Sequence, residues 1–316
     1  MFRFIHTADW QLGKPFAWAE PEVRSALTEA RFDAIDTIGQ MAREHSVPHI
    51  LVAGDVFDTE GPDTRTIVQA LSRMERHQCS WWLLPGNHDF VRAGGLWDRI
   101  EGRLPGNVNL IPEARPSELD DGVWLLPAPL AHRHQNHDLT ESFDTMETPG
   151  AILRIGLAHG SIVDFSAQGE TKNQIAPDRA ARSALDYLAL GDWHGLLQVN
   201  SRTWYSGTPE VDQFQRDEPG KALLVELEQS SEPIVTELRT GKYQWLRRDW
   251  RVDDAAGFEA YSAQLLDECD PAATLVRVTL SGITTLTDRV AILSSIEHDL
   301  AHRFRYFSFS ATDLVA

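Results

Sequence analysis

The chain has 316 residues, of which 42% are hydrophobic, with a formal net charge of −18 and a pI near 5.0. This size supports one large core and a smaller unit. The acidic balance argues against tight, non-specific duplex binding, although bound cations can reverse the field near a site. Two cysteines exclude a disulfide framework. Because signal-peptide and membrane-spanning patterns are also missing, we expect a soluble, cytoplasmic protein that does not bind membranes.

The first third of the chain alternates between strand and helix patterns. Residues 2–6, 49–53 and 81–84 predict short buried strands. Residues 21–45 predict a helix from an apolar stripe at helical spacing, and a second helix is expected at 63–77. Loops at the carboxyl ends of parallel strands are where α/β sheets carry their sites. We therefore expect functional residues directly after these strands.

Later residues are richer in strands. Further strands are predicted at residues 123–126, 152–158, 187–190, 203–206, 222–226 and 234–239. Residues 128–149 are polar and predict a long surface loop. This loop contains His132, His134 and His137, for which a solvated loop is favoured over a metal cluster because no strand supports them.

The pattern changes near residue 244, where we place a domain boundary between residues 1–244 and 245–316. The C-terminal part predicts a small α+β unit, with helices at 255–269 and 286–304 and strands at 274–280 and 305–310. Arg247, Arg248 and Arg251 cluster at its start. Phosphate contact is one interpretation of this cluster, but a solvated face is favoured.

Five short motifs carry metal-binding side chains, and each follows a run rich in apolar residues. They are Asp9-Trp10-Gln11, Gly54-Asp55, Gly86-Asn87-His88-Asp89, His159-Gly160 and Gly191-Asp192-Trp193-His194. Any single motif has an ordinary explanation, since Asn, Asp and Gly favour turns for backbone reasons alone. The ordered set of five is instead typical of a two-metal site that acts on both sides of an in-line displacement at phosphorus.

The motifs suggest a role for each side chain. Asp55 is the natural bridging carboxylate, because Gly54 lets the backbone turn sharply after its strand. His88 is predicted to protonate the leaving oxygen or stabilise phosphate charge, with Asp89 orienting it. Trp10 and Trp193 fit either base stacking or packing beside the site. The predicted ligands are Asp9, Gln11 and His194 for one metal and Asn87, His159 and Asp192 for the other.

The segments His6–Lys14, Gly54–Asp58 and Gly86–Asp89 resemble the calcineurin-like metallophosphoesterases, and within them most closely the SbcD-type DNA-repair nucleases. His159 and Asp192-Trp193-His194 follow in the family's order, so the resemblance covers about residues 1–240. It implies a four-layer αββα sandwich, a dinuclear site that commonly prefers manganese, and phosphodiester hydrolysis. Residues 245–316 have the size and position of the family's C-terminal cap, which helps to hold DNA.

Two positions depart from the family pattern. Gln11 stands where the first motif usually has histidine, and Asp192 replaces the first histidine of the last motif. Two oxygen ligands thus replace two nitrogen ligands, which suits Mn²⁺ or Mg²⁺ better than Zn²⁺. We therefore expect two Mn²⁺ ions, with Mg²⁺ or another divalent ion as substitutes.

The combined interpretation is a manganese-dependent DNA nuclease of DNA repair, either endonuclease or exonuclease. The acidic surface favours single-stranded DNA or end structures, because backbone affinity should be modest. The first alternative is a phosphodiesterase for a small molecule or cyclic nucleotide, and the second is a non-catalytic repair scaffold. SbcD-type nucleases often carry a tail for an SMC-like ATPase beyond the cap. The chain ends at Ala316, so we expect a stand-alone enzyme.

Overall fold

A computed structural model describes residues 1–162, 172–214 and 217–316. The chain forms two compact units. The first unit comprises Met1–Trp18, Arg24–Glu210 and Gly220–Thr240, and the second comprises Ala19–Val23, Val211–Pro219 and Gly241–Ala316. No described helix combines the length and apolar character needed to cross a bilayer.

The regular elements of the first unit begin at the N-terminal strand. Its strands are β1 (Phe2–Thr7), β2 (His49–Val52), β3 (Ser80–Leu83), β4 (Val108–Leu110), β5 (Ser117–Asp120), β6 (Val123–Ala128), β7 (Leu153–His159), β8 (Ser161–Ile162), β9 (Gln174–Ile175), β10 (Tyr187–Gly191), β11 (Leu197–Asn200), β12 (Thr203–Tyr205), β13 (Lys221–Leu227) and β14 (Ile234–Arg239). Its helices are α1 (Pro21–Glu44), α2 (Thr64–Glu75), α3 (Leu96–Ile100) and α4 (Arg179–Arg182).

The first sheet has the strand order β14-β13-β1-β2-β3-β4, with β1 to β4 parallel and β13 antiparallel to β1. Helices α1 and α2 cover its outer face through buried side chains such as Ile35 and Met74, which pack with Ile50 and Trp81 of the sheet. Asp63 caps α2 by accepting a hydrogen bond from the Thr66 amide at 2.7 Å. Because β1 and β2 are parallel neighbours, their carboxyl ends lie side by side.

The second sheet has the order β11-β12-β10-β7-β6-β5. Its inner face packs on the first sheet through a shared core that includes Phe4, Leu51, Leu125 and Leu157. Its outer face is covered by α4 and by a 3₁₀ helix at Leu139–Asp144. The predicted αββα layering is thus confirmed, although the fourth layer consists of short helical segments.

The expectation of a surface loop throughout residues 128–149 is wrong in one part. Within the 3₁₀ helix Leu139–Asp144, the Phe143 ring is fully buried against the second sheet. A buried guanidinium holds this segment in place, because Arg179 pairs with Asp138 at 2.9 Å and with Asp144 at 3.2 Å. Ser183 also donates to Asp144 at 2.6 Å. The side chains of Arg179, Asp138, Asp144 and Ser183 are called the Arg179 cluster below.

The second unit contains β15 (Gln244–Arg251), α5 (Ala255–Glu268), β16 (Thr274–Ile283), α6 (Leu286–Ser295), α7 (Ala301–Arg303) and β17 (Tyr306–Val315). Its three strands are parallel in the order β15-β16-β17. A core of residues such as Trp250, Val276, Phe258 and Ile292 joins them to the helices. The helix predicted at 286–304 is observed as one helical run over residues 286–303, in which a π-helical turn at Ile296–Leu300 joins α6 to α7.

Candidate metal centre

Side chains from all five motifs lie at or beside one buried centre in the first unit. Among them, Asp9, Gln11, Asp55 and Asp192 follow β1, β2 and β10, and these four have positive φ angles, of 55°, 49°, 54° and 99°. A non-glycine residue rarely adopts this left-handed region, which costs about 1–3 kcal/mol and is retained mainly at functional sites. The loops are fixed by backbone bonds, including one of 3.0 Å from the Asp9 amide to the Gly54 carbonyl.

Two motif glycines are required because site side chains approach their backbones closely. A methyl group added to Gly54, whose φ is +91°, would lie 2.2 Å from Nδ1 of His159. A methyl group added to Gly86 would lie 2.2 Å from Oδ1 of Asp55. Any larger residue at either position would displace a site side chain, because both separations are far below van der Waals distance.

The middle of the centre is formed by Asp9, Asp55 and His159. One potential ligand atom from each lies within 4.8 Å of the others, and all three residues are buried. Nε2 of His159 lies 3.5 Å from Asp55 Oδ1 and 3.7 Å from Asp192 Oδ1. Nδ1 of His159 lies 2.8 Å from the Ala53 carbonyl, which can only accept a hydrogen bond. Nδ1 therefore carries a proton, and Nε2 is directed into the centre, where it can offer its lone pair to a cation once it has lost its own proton.

These residues fit a divalent cation. Nε2 of His159 and Oδ1 of Asn87 are buried and have no hydrogen-bond partner among the described residues. Leaving a buried acceptor without a donor costs free energy, so such atoms call for an explanation. Carboxylate and amide oxygens together with imidazole nitrogen are ordinary ligands for Mn²⁺, Mg²⁺ and Zn²⁺. A cation between them would satisfy both orphaned atoms.

The centre concentrates negative charge. Burial raises the pKa of Asp9 to about 6, helped by Asp55 and Asp192 and opposed by His194 and His159. Burial alone would lower the pKa of His159, but the charges of Asp55, Asp9 and Asp192 raise it to about 9. Without a metal, the site therefore holds protons more tightly than ordinary side chains do. Cation binding must displace them.

Two donors hold the Asp55 carboxylate. The Gln11 amide nitrogen donates to Oδ2 at 2.8 Å, and the His88 backbone amide donates to Oδ1 at 2.9 Å. Because a carboxylate only accepts, the nitrogen of the Gln11 amide faces Asp55 and its oxygen faces away from it. Gln11 thus lies at the centre as a hydrogen-bond donor to Asp55, while its role as a metal ligand stays a prediction.

Asp192 is also bound by several donors. Its backbone amide lies 3.1 Å from both oxygens of Asp9. Its Oδ1 accepts from the Asn87 amide at 3.3 Å, and its Oδ2 accepts from the Ser161 hydroxyl at 2.6 Å. Ser161 is a contact that the motifs did not indicate. It follows the His159-Gly160 motif directly, which is the signal that could have drawn attention to it.

His88 lies at the margin of the centre with its side chain 32% exposed and its Nε2 4.0 Å from Asp55 Oδ2. Its Nδ1 donates to the Asp58 carbonyl at 2.8 Å, so the ring is oriented by a backbone group. The prediction that Asp89 orients His88 is therefore corrected. The Asp89 carboxylate is buried and accepts from the amides of Gly86 at 2.7 Å and Phe57 at 3.1 Å.

Asp89 therefore shapes the turn that carries Asn87 and His88. Burial and the nearby charge of Asp55 raise the pKa of Asp89 to about 7, while the two backbone donors oppose that rise. A carboxyl group this strongly buried acts through the loop that it holds rather than through the substrate.

The remaining predicted residues differ in their surroundings. His194 is half-buried, and its charge acts on Asp9. Trp10 is 1% exposed, with its edge against Trp81, so the stacking role considered for it is wrong because no ring face is open to a base. Trp193 is 41% exposed and keeps that possibility.

Arg247 and Arg248 belong to β15 in the second unit. The Arg248 guanidinium pairs with Asp217 and with Glu268, the latter at 3.0 Å. The Arg247 side chain is 61% exposed and lies 4.0 Å from Asp249. Arg248 thus has its charge compensated within the unit, whereas Arg247 is the more accessible of the two.

A profile of the calcineurin-like phosphoesterase family matches residues 2–225. The chain belongs to this family. The predicted resemblance is confirmed, and the five motifs all lie in the matched region. The buried carboxylates and His159 therefore occupy a phosphoesterase domain.

Curated relatives of this phosphoesterase are components of nucleases and repair proteins. The SbcD component of the SbcCD nuclease from Escherichia coli K12 is 38% identical over 93 residues, which are 28% of this chain and 22% of the relative. The SbcD component from Bacillus subtilis 168 is 34% identical over 158 residues, 45% of this chain and 37% of the relative. The double-strand break repair protein Mre11 of Methanosarcina acetivorans is 24% identical over 258 residues, 75% of this chain and 38% of the relative. The chain thus spans well under half the length of these curated relatives.

Proposed function

We propose that this phosphoesterase is a manganese-dependent DNA nuclease that acts in DNA repair. The observation that carries the proposal is the buried cluster of Asp9, Asp55 and His159, beside which His159 Nε2 and Asn87 Oδ1 have no described hydrogen-bond partner. The names of the curated relatives support DNA as the substrate.

The chain offers enough ligands for two cations. Asp55 is the proposed bridge, because one of its oxygens lies within 4.8 Å of ligand atoms of both Asp9 and His159, which are assigned to different cations. When bound, two divalent cations supply positive charge on both sides of an in-line displacement at phosphorus. The proposed ligands are Asp9, Gln11 and His194 on one side and Asn87, His159 and Asp192 on the other.

His88 is the proposed acid at the leaving oxygen. The bond from Nδ1 to the Asp58 carbonyl fixes the ring and leaves Nε2 directed towards Asp55. A protonated Nε2 in that position can donate to an oxygen that leaves phosphorus, or stabilise negative charge on the phosphate. Partial exposure of the ring gives it access to substrate and to solvent protons.

Manganese is the proposed metal because oxygen atoms dominate the site. Carboxylates of Asp9, Asp55 and Asp192 and the amide oxygen of Asn87 prefer hard cations over Zn²⁺. Single strands or DNA ends are the proposed substrates, since a chain of net charge −18 should bind the phosphates of a long duplex only weakly. Trp193, whose side chain is partly exposed, is the proposed surface for stacking on an unpaired base.

The test is cleavage of a labelled single-stranded DNA circle in Mn²⁺ by the wild type, Asp55→Ala and His88→Ala. Asp121→Asn is the control, because Asp121 is an exposed carboxylate outside the centre. If the wild type and the control cut the circle and both site variants do not, the protein is an endonuclease that uses this site. Shortening of a linear strand alone would establish an exonuclease.

Two results would overturn the proposal. If both DNAs survive while bis-p-nitrophenyl phosphate is hydrolysed, the enzyme is a phosphodiesterase for small substrates. If Asp55→Ala cuts as fast as the wild type, the activity belongs to another site or to a contaminant. Higher turnover with Zn²⁺ than with Mn²⁺ at equal occupancy would contradict the choice of metal.

A further inference from the structure

The Asp192 carboxylate has two oxygens in different surroundings. Oδ1 lies 3.7 Å from Nε2 of His159 and 3.3 Å from the Asn87 amide nitrogen. Oδ2 accepts a hydrogen bond of 2.6 Å from the Ser161 hydroxyl. One oxygen is thus directed at the centre, and the other is occupied by a hydroxyl group.

Ser161 and Asp192 follow the ends of two neighbouring strands. Strands β7 and β10 are parallel neighbours, with His159 paired to Gly191, and the Gly160 amide donates to the Gly191 carbonyl at 3.1 Å. This pairing brings the backbone after His159 alongside the backbone after Gly191. From there the Ser161 hydroxyl reaches the Asp192 carboxylate, 31 positions further along the chain.

The backbone on both sides of Ser161 is fixed independently of Asp192. The Tyr205 hydroxyl donates to the Gly160 carbonyl at 2.7 Å and accepts from the Ile162 amide at 3.0 Å. The Ser161 amide itself donates to the Asn173 carbonyl at 3.0 Å. The serine hydroxyl is consequently presented to Asp192 by a preformed frame.

Asp192 is equally constrained. Its φ of 99° is unusual for a residue with a side chain, and its amide is held by both oxygens of Asp9 at 3.1 Å. With the backbone fixed, the remaining freedom of Asp192 is rotation of its side chain. The hydrogen bond from Ser161 removes that freedom.

We propose that Ser161 is a positioning residue that makes Asp192 a one-oxygen metal ligand and thereby selects small octahedral cations over Ca²⁺. Mg²⁺ and Mn²⁺ demand near-ideal octahedral geometry, whereas Ca²⁺ takes more ligands and accepts carboxylates that bind through both oxygens. A hydroxyl on Oδ2 blocks the two-oxygen mode. This inference rests on the proposed function, because it requires a cation at Asp192.

The test is titration of the metal-free, full-length protein with Mn²⁺ and separately with Ca²⁺, followed by calorimetry and, for Mn²⁺, by electron paramagnetic resonance. The variants are Ser161→Ala, which frees Oδ2, and Ser161→Thr, which keeps the hydroxyl. Ser183→Ala is the matched control, since Ser183 donates to Asp144 over the same 2.6 Å in a cluster that contains no proposed ligand.

We expect Ser161→Ala to lower the preference for Mn²⁺ over Ca²⁺ by about tenfold, the lower end of effects seen when partners of metal ligands are removed. Ser161→Thr should stay near the wild-type preference, and Ser183→Ala should leave it unchanged even where it lowers the melting temperature. An unchanged preference in Ser161→Ala, or an equal loss in Ser161→Thr, would overturn the inference.

The two proposals fail in distinguishable ways. If the wild type binds neither cation, or if Asp55→Ala binds Mn²⁺ as well as the wild type does, the proposed metal centre is wrong and this inference is overturned with it. If the wild type binds Mn²⁺ and loses it in Asp55→Ala, while Ser161→Ala keeps its cation preference, only the inference on Ser161 is overturned.

Discussion

The first unit contains two buried clusters of charge, and they differ in how that charge is balanced. In the Arg179 cluster, a guanidinium pairs with Asp138 and Asp144, and a serine hydroxyl supports one of them. In the metal centre, Asp9 and Asp55 face the imidazole of His159, which is a weaker counter-charge than a guanidinium. In the first cluster the charge of both carboxylates is met by a guanidinium, although its Nε has no described hydrogen-bond partner, whereas the second leaves the buried acceptors His159 Nε2 and Asn87 Oδ1 facing the carboxylates. The two clusters therefore differ in counter-charge: a guanidinium balances the first, and an imidazole faces the carboxylates of the second.

The largest effect is expected from removal of the proposed bridge. Asp55→Ala takes away the carboxylate that both cations would share, so DNA cleavage should fall by at least about 1000-fold. Cleavage rates at saturating Mn²⁺ measure the loss. Equal rates in wild type and variant would place the cleavage activity outside this centre.

The next effect concerns the Arg179 cluster. Arg179→Met leaves Asp138 and Asp144 without their partner, so the free energy of unfolding should fall by about 3 kcal/mol. Urea denaturation measures this fall, and Mn²⁺ stoichiometry of the folded protein should not change. Arg182→Met is the control, because that arginine pairs with Asp178 at the surface and should contribute under about 1 kcal/mol. Loss of Mn²⁺ in Arg179→Met would mean that the two clusters are coupled.

A third experiment tests directly whether the centre binds a cation in the folded protein. Mn²⁺ at about 100 times its dissociation constant should stabilise the folded protein by about 2.7 kcal/mol for each independent site. Urea denaturation with Mn²⁺ and with a chelator measures the difference, which Asp55→Ala should abolish. Stabilisation that survives in Asp55→Ala would place the cation elsewhere.

A smaller effect distinguishes two buried histidines. His159 faces carboxylates, whereas His6 bonds to the Tyr187 hydroxyl at 3.0 Å and the Leu190 carbonyl at 3.1 Å. Burial lowers the pKa of His6 to about 3, despite the opposing effect of the Leu190 carbonyl. Between pH 6.5 and 3 the unfolded chain therefore binds the additional proton, so this contribution to stability is present above pH 6.5 and is lost as the pH falls.

The measurement compares the wild type with His6→Asn by urea denaturation in chelator at pH 7 and pH 5. The advantage of the wild type should shrink by about 2 kcal/mol on acidification, from an ordinary histidine pKa of about 6.5 in the unfolded chain. Because Asp9 and Asp89 titrate in both proteins, the difference between the two isolates His6. A constant advantage would show that the pKa of His6 is the same in the folded and the unfolded protein.

The comparison also shows what the sequence can and cannot predict. Asp9, Asp55 and His159 could be placed together because each follows a buried strand, and strand ends meet at sheet edges. The contacts that support these side chains could not be predicted from the sequence. The bond from Ser161 to Asp192 joins side chains 31 positions apart, and the ring of His88 is held by the Asp58 backbone carbonyl, which has no sequence signature.

The sequence did not predict two elements in which charged or polar residues interrupt the apolar pattern. Strand β15 carries Arg247, Arg248 and Arg251, and this charge hides an alternation in which Leu246 and Trp250 are buried. Phe143 lies in a polar stretch that is typical of a loop, although tertiary packing buries it. The spacing of apolar residues predicts which side chains are buried only where ion pairs or short helical turns do not interrupt the pattern.

The centre draws on both sheets, since Asp9 and Asp55 follow β1 and β2 of one sheet, whereas His159 ends β7 and Asp192 follows β10 of the other. If the proposed cations bind these four residues, they would join the two sheets. Any opening that parts the two sheets must then release the cation first. Amide hydrogen exchange along β1 and β10 should accordingly become slower as Mn²⁺ is added, and metal release and opening of the core should share one rate.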